Sequence, residues 1–416
     1  MTDKIAEFTS ELGSGLFPSE PGRKPIFWQD GRNVTFESDH LQSAFGQFAM
    51  FISGQNEPVT GVKGSVVDGV PTVFFSTLTS QYKWDLANGV QDITPIDGMS
   101  AKVPYTGTRN DPWQFSRWGN WMVSSNGVAP IQVYKNADKF LDLAGQPFDW
   151  AKLIYATDTH LLALNTSNGG NYIEWTDLDN IEQWQTSSIN DAGNKPLRNL
   201  DSDILAAKKL RDTLIAYTNN EMIAVNYLAR PFVFGTEFLL EGFGPFGPNA
   251  VAAVGGKHFG MGHRGIWVTD GVSFEFIQNP AVMDFIYRDA DTRVDLELGN
   301  HVIGWHDQLQ TQVVFYYPKE SGAGYNDIGV GFNYKTGKWT VYDYGRTAVD
   351  DAGVFPYAIT GGNGGNVFQQ SVSDAPPQAG DAGRVNLDTT AYAVSLGLGE
   401  GGLGECGLGG YDGGAG

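Results

Sequence analysis

Short runs of apolar, β-branched and aromatic residues recur along most of the chain, each cut off by Gly, Asn, Asp or Pro. Runs of this length and alternation read as strands joined by tight turns. One composite phrase recurs without repeating word for word: a β-rich run, a polar turn, then a second run carrying an aromatic or β-branched residue. It stands at Tyr82-Lys83-Trp84-Asp85-Leu86-Ala87-Asn88-Gly89-Val90 and at Gly265-Ile266-Trp267-Val268-Thr269-Asp270-Gly271-Val272. A third case is Phe332-Asn333-Tyr334-Lys335-Thr336-Gly337-Lys338-Trp339-Thr340-Val341. Each reads as a hairpin, and hairpins in series at a spacing of roughly 40–50 residues read as the four-stranded blades of a β-propeller.

Strand signals begin at Pro25, with Ile26-Phe27-Trp28, a turn at Asp30-Gly31, and Val34-Thr35-Phe36. Residues 37–68 carry no clear pattern. Six β-periodic segments then start near Val70, Pro112, Trp150, Asp201, Pro248 and Asn300, and a shorter one runs from near Asp351 to Val367-Phe368. With the N-terminal strands completing the last blade, the pattern predicts an all-β chain. Its core is a β-propeller of about seven blades (six to eight) over residues 25–375. Extended arms flank it, residues 1–24 at the N-terminus and a Gly-rich stretch 376–416 at the C-terminus. Helix is rare. Asn279 to Arg288 fits one, with Asn279 as N-cap and Pro280 in the first position. Ile204 to Leu214 suits either a helix or two strands.

Composition supports a single closed domain. The chain has 416 residues with 54 Gly and 19 Pro, enough turn residues for many short strands. Its formal net charge is −20, which repels nucleic-acid phosphate and argues against holding DNA or RNA. The same charge suits a surface that DNA must pass without sticking. Cys406 is the single cysteine, so no internal disulfide is expected. The first residues, Met1 to Phe8, lack the features of a signal peptide, and no apolar run approaches the ~18 residues of a spanning helix. The expectation is a product of a reducing cytoplasm with no membrane contact, in which Asn33-Val34-Thr35 and Asn165-Thr166-Ser167 carry no glycan. After Pro376-Pro377 a Gly-Leu phrase repeats at Leu398, Leu403 and Leu408. Alone such a tail cannot offset its ordering entropy, so docking on a neighbouring subunit or partner is expected.

Candidate chemistry is sparse. His258 and His263 are five apart, as are His301 and His306; on strands that spacing points them to opposite sides, unsuited to one metal. Trp305-His306-Asp307 resembles a dyad without a nucleophile signature. Asp177-Leu178-Asp179-Asn180 and the acidic run from Asp289 to Glu297 do not have the glycine and terminal glutamate placed as in a calcium loop. Arg117, Arg211, Arg230, Arg264 and Arg346 are spread over different segments, unlike the arginine cluster of a sialidase-like propeller. Lys208-Lys209 with Arg211 reads as a solvated turn. Trp113, Trp118, Trp121, Trp175 and Trp184 read as anchors between blades rather than sugar-stacking platforms. No catalytic, cofactor-binding or metal-binding residue is assigned, and no cofactor or enzymatic activity is expected.

Three stretches carry a resemblance. Ile173-Glu174-Trp175-Thr176-Asp177 is followed by Trp184. Glu241-Gly242 leads through Gly247-Pro248-Asn249-Ala250-Val251 to Phe259, Gly265-Ile266-Trp267-Val268 and Asp270-Gly271. Tyr334-Lys335-Thr336-Gly337-Lys338-Trp339 forms the third. Together, over roughly residues 150–345, the chain resembles the tail nozzle, or tail hub, proteins of short-tailed bacteriophages. That resemblance implies a structural virion protein, assembled in the host cytoplasm. It would form a ring of identical copies, usually six, below the portal and its adaptor and next to tail fibre or tip proteins. Double-stranded DNA would leave through the ring without specific binding. A glycan-binding or glycan-hydrolysing propeller is the alternative from another functional class.

Overall fold

The computed structural model describes residues 56–372, apart from 98, 137–138, 198–199, 201 and 352, together with 28–32, 34–36, 41–43, 46–52, 54 and 392–395. Seven four-stranded antiparallel sheets follow one another along the chain. The first strands of the blades are Gly61–Val67, Gln114–Trp118, Ala151–Ala156, Ala206–Leu210, Val251–Val254, Ile303–Asp307 and Ala348–Asp350. Each lies beside the first strands of its two neighbours, and the circuit closes from blade 7 back to blade 1. The molecule is therefore a seven-bladed β-propeller. Blade 1 starts at Gly61 rather than near Val70, which opens its second strand, Val70–Ser76.

The core is divided among the blade interfaces, and the period of the β-strand explains how. Successive side chains point to opposite faces of a sheet. In Gln312–Pro318 of blade 6, Val313, Phe315 and Tyr317 join the apolar cluster facing blade 5, whereas Val314 and Tyr316 join the cluster facing blade 7. In Leu161–Thr166 of blade 3, Leu161 and Ala163 face blade 2 while Leu162 and Leu164 face blade 4. Middle strands are thus buried on both faces, which is why they read as unbroken apolar runs. Tryptophans occupy these interfaces: Trp113, Trp175, Trp184, Trp267, Trp305 and Trp339 are all buried.

The recurring phrase is the hairpin between the third and fourth strands of blades 1, 5 and 6. Trp84 pairs with Val90, Trp267 with Phe276, and Phe332 with Trp339. Its turn chemistry is the same each time. Asp85 Oδ1 accepts from the N–H of Ala87 and Asn88, Asp270 Oδ1 from Val272 and Ser273, and Asn333 Oδ1 from Lys335 and Thr336. These are Asx turns, in which a short polar side chain replaces the next strand's backbone as acceptor. Gly89, with φ 67°, supplies the left-handed residue that ends the first of them.

Blade 7 is closed by the chain's other end. Gly46–Ile52 pairs antiparallel with Asn366–Val372 as the outermost strand. An N-terminal strand therefore completes the last blade, but it comes from the segment whose pattern was unreadable. Trp28–Arg32, which contains Asp30-Gly31 within the strand rather than at a turn, instead pairs with Tyr392–Ser395. Val34–Phe36 pairs with Leu41–Ser43, and both small sheets lie against Trp339–Tyr342 at the rim of blade 6. Residues 1–27, Cys406 and the Gly-Leu repeats lie outside the described residues.

The helix is Pro280–Tyr287, between blades 5 and 6. The Asn279 side chain accepts from the N–H of Ala281 and Val282, and Val282 and Ile286 are its buried residues. Ile204 to Leu214 resolves into strand: Ala206–Leu210 pairs with Thr213–Tyr217.

Candidate functional site: the axial cavity and the blade 4 hairpin

Because seven first strands stand around one axis, their residues face a common cavity of ≈ 320 Å³ lined from every blade. One end is crossed by the loop that joins blades 1 and 2. Asn300 Nδ2 donates to Asn110 O at 3.3 Å, and the Arg109 guanidinium stacks 3.5 Å from the centre of the Tyr325 ring on blade 6. Tyr105 anchors the loop through its hydroxyl, 3.1 Å from Gln132 Oε1, and through an edge contact with Trp113. Just inside, Gln114 of blade 2 donates across the axis to Asn249, at the entry to blade 5, at 3.1 Å.

Charged groups inside the cavity are few. Lys63 Nζ lies 2.7 Å from Asp350 Oδ1, and the Gly64 N–H donates to Asp350 Oδ2 at 2.7 Å, joining blade 1 to blade 7. Asp351 accepts from the His306 N–H at 3.0 Å. Lys208 Nζ donates to Val251 O at 3.0 Å, and Arg117 Nε to Gly119 O at 2.6 Å. Burial, with Asp158 nearby, raises the Tyr155 phenol above its usual range. Sequence pattern assigns no site role to Lys63, Asp350, Asp351, Gln114 or Asn249; the usable signal is their place in or beside a first strand.

The histidine pairs are separated, but not by strand alternation: His263 lies in the turn after Lys257–Gly262, and His301 ends the 3-10 helix Leu296–His301. His258 is fully buried between blades 4 and 5, while His263 is exposed against Phe246. His258 Nδ1 lies 2.8 Å from Tyr217 Oη and Nε2 lies 2.9 Å from Lys209 O. Burial holds its pKa down at about 4. Burial also lowers His301, with the Arg109 charge adding to it, and lowers His306 against the opposing pull of Asp351. His306 Nε2 meets Tyr334 Oη at 2.9 Å, while Asp307 caps its own turn by accepting from Leu309 and Gln310. The two do not form a dyad.

The acidic clusters are turns. Asp177 Oδ1 accepts from the N–H of Leu178 and Asp191, and Asp289 Oδ1 from Asp291 and Thr292. Among the described residues no group of three or more His, Cys, Asp or Glu is placed to hold a metal ion. The arginines stay apart: Arg230 pairs with Asp191, Arg264 with Gly242 O, and Arg346 is buried over the rings of Tyr344 and Phe368. Lys208 and Lys209 sit within a strand rather than a solvated turn. Alternation turns Lys209 outward and Lys208 to the cavity; Arg211 occupies the turn. No helix of the described residues is long and apolar enough to cross a membrane.

Blade 4 departs from its neighbours. Its outer strands, Glu221–Ala229 and Val233–Glu241, have nine residues each, the longest such pair in the ring. The turn between them is not the polar Asx phrase but Arg230-Pro231-Phe232. Phe232 is 73% exposed, and Tyr227 and Leu228 are more than half exposed. Arg230 ties the tip to blade 3 through Asp191 and through Ile189 O, which places the 83% exposed Ile189 beside it. Phe234 packs on His160 and Trp175 of blade 3, fixing the hairpin's lean.

Comparison with known proteins finds no matching family model and no matching curated protein.

Proposed function

We propose that the chain is a non-enzymatic structural protein of a bacteriophage tail. In this reading its propellers form a ring, six copies as the resemblance to tail nozzle proteins implies, below the portal and adaptor. The observation that carries an assembly role is the blade 4 hairpin. An exposed apolar tip on a lengthened ribbon is the surface expected of a docking element, because contiguous exposed apolar groups mark interaction sites. The blades support the same reading. Their polar turn residues are engaged with backbone N–H groups, and His258 and His306 with bonds between side chains and strands.

DNA would travel through the lumen bounded by the copies, not through a propeller. The axial cavity has room for only about ten waters at ~30 Å³ each. A surface with −20 per copy would repel the duplex and let it slide. Native mass spectrometry and electron microscopy of the purified full chain, alone and with portal-adaptor protein, test the reading. The expected result is a ring, or a complex with the adaptor, that is lost in Phe232→Asp with the monomer fold retained. A chain that stays monomeric in both settings would overturn it.

A further inference from the structure

We propose that the axial cavity is a binding site for a small organic anion, a molecule bearing carboxylate or phosphate groups, held by Lys208 with Arg117 towards the open end. Its volume, ≈ 320 Å³, falls within the range of small-ligand sites, roughly 300–1,000 Å³. The charge accounting points to an anion. Both lining carboxylates are committed: Asp350 to Lys63 and the Gly64 N–H, Asp351 to the His306 N–H. Among the described residues no carboxylate pairs with the two remaining lining cations. Lys208 donates to the Val251 carbonyl and Arg117 to the Gly119 carbonyl, and a carbonyl offers a dipole rather than a counter-charge.

Three other partly buried lysines, Lys63, Lys135 and Lys319, each face a carboxylate. Lys83 and Lys139 instead donate to Tyr134 Oη and Asp92 O, but neither lines the cavity. In a chain of net charge −20, the partly buried Lys208 and the exposed Arg117 at the mouth place a positive potential on one volume. The Lys208 ammonium has three donors and spends one on Val251, leaving two for a ligand. The Gln114 and Asn249 amides, joined across the axis, offer hydrogen-bonding capacity to ligand hydroxyls. Entry would be from the face opposite the blade 1–2 loop. The first strand of blade 2 runs from Gln114, beneath that loop, to Trp118, which sets Arg117 near the open mouth.

The test uses the full chain titrated calorimetrically with citrate and with inorganic phosphate, at low and at moderate salt. Binding of at least one probe at one site per chain is expected, weakening as salt rises. Lys208→Gln should weaken it by about tenfold or more, the usual effect of losing a hydrogen bond to a charged group, and Lys208→Arg should restore much of it. Arg117 is exposed, so Arg117→Gln folds independently of the cavity and should weaken binding less. Tighter citrate marks a carboxylate ligand and tighter phosphate a phosphorylated one. No heat from either probe up to about 10 mM, or equal affinity in the wild type and both neutral variants, would overturn the proposal. It stands or falls separately from the tail reading, because it is read on single chains.

Discussion

His258 joins blades 4 and 5 in a way that acid should undo. Lys209 O can only accept, so Nε2 carries the ring proton, and bare Nδ1 accepts from the Tyr217 hydroxyl. The imidazole is neutral at both nitrogens' bonds, and protonation would confront the phenol O–H with an N–H. Burial is the main cause of its pKa of about 4, Lys208 lowers it further, and the Lys209 carbonyl opposes. The unfolded value is about 6.5. With the folded pKa depressed, the contribution is whole above pH ~6.5. It then falls by about 1.4 kcal/mol per unit as the unfolded chain alone takes up a proton, and levels off near pH 4. The full span is about 3 kcal/mol, most of it lost by pH 4.5. Urea unfolding of the wild type and His258→Gln at pH 7.5, 6 and 4.5 isolates this part, since His160, His263, His301 and His306, also lowered, are common to both. The stability gap between the two proteins should close by that amount. Parallel loss in both, or a native imidazole that titrates near 6.5 by NMR, would refute the reasoning.

Two further perturbations test the architecture. Deleting residues 1–45 should leave the ring intact by near-UV circular dichroism. Deleting 1–52 removes the strand that covers Asn366–Val372 and should lower Tm sharply and promote aggregation through the bared edge. Gly260→Ala should destabilise by about 1–3 kcal/mol in urea titration. A Cβ there would fall 2.0 Å from Trp267 Cζ2, and Trp267 is fully buried with its Nε1–H bonded to Gly244 O at 3.1 Å. An unchanged midpoint would show that the indole can shift.

The blades were legible because their information is local. Asp85, Asp270 and Asn333 each close a turn within three residues, and runs such as Val313 to Tyr317 announce a strand buried on both faces. The seam was not. Phe48 to Ile52 is apolar, but its partners Asn366 to Gln369 lie more than three hundred positions away, so no neighbouring turn declares the pairing. The cavity was hidden for a related reason. Lys208 and Lys209 are alike in sequence, and only the placement of their strand on the axis makes one a lining residue. The blade 4 tip carries a signal of its own, the replacement of a polar Asx turn by Arg230-Pro231-Phe232, which is readable only once the other hairpins are known.

The pairing of Gly46–Ile52 with Asn366–Val372 also sets a schedule. The ribosome makes the first strand early and its partner more than three hundred residues later, a wait of roughly 15–60 s at ~5–20 residues per second. During that time an apolar strand has no sheet to join, and six complete blades can stack as an open arc with two bare ends. The final hairpin of blade 7 then acts as a clasp, fastening the ring in one late, long-range step. The same clasp is where an unfastening molecule would first come apart.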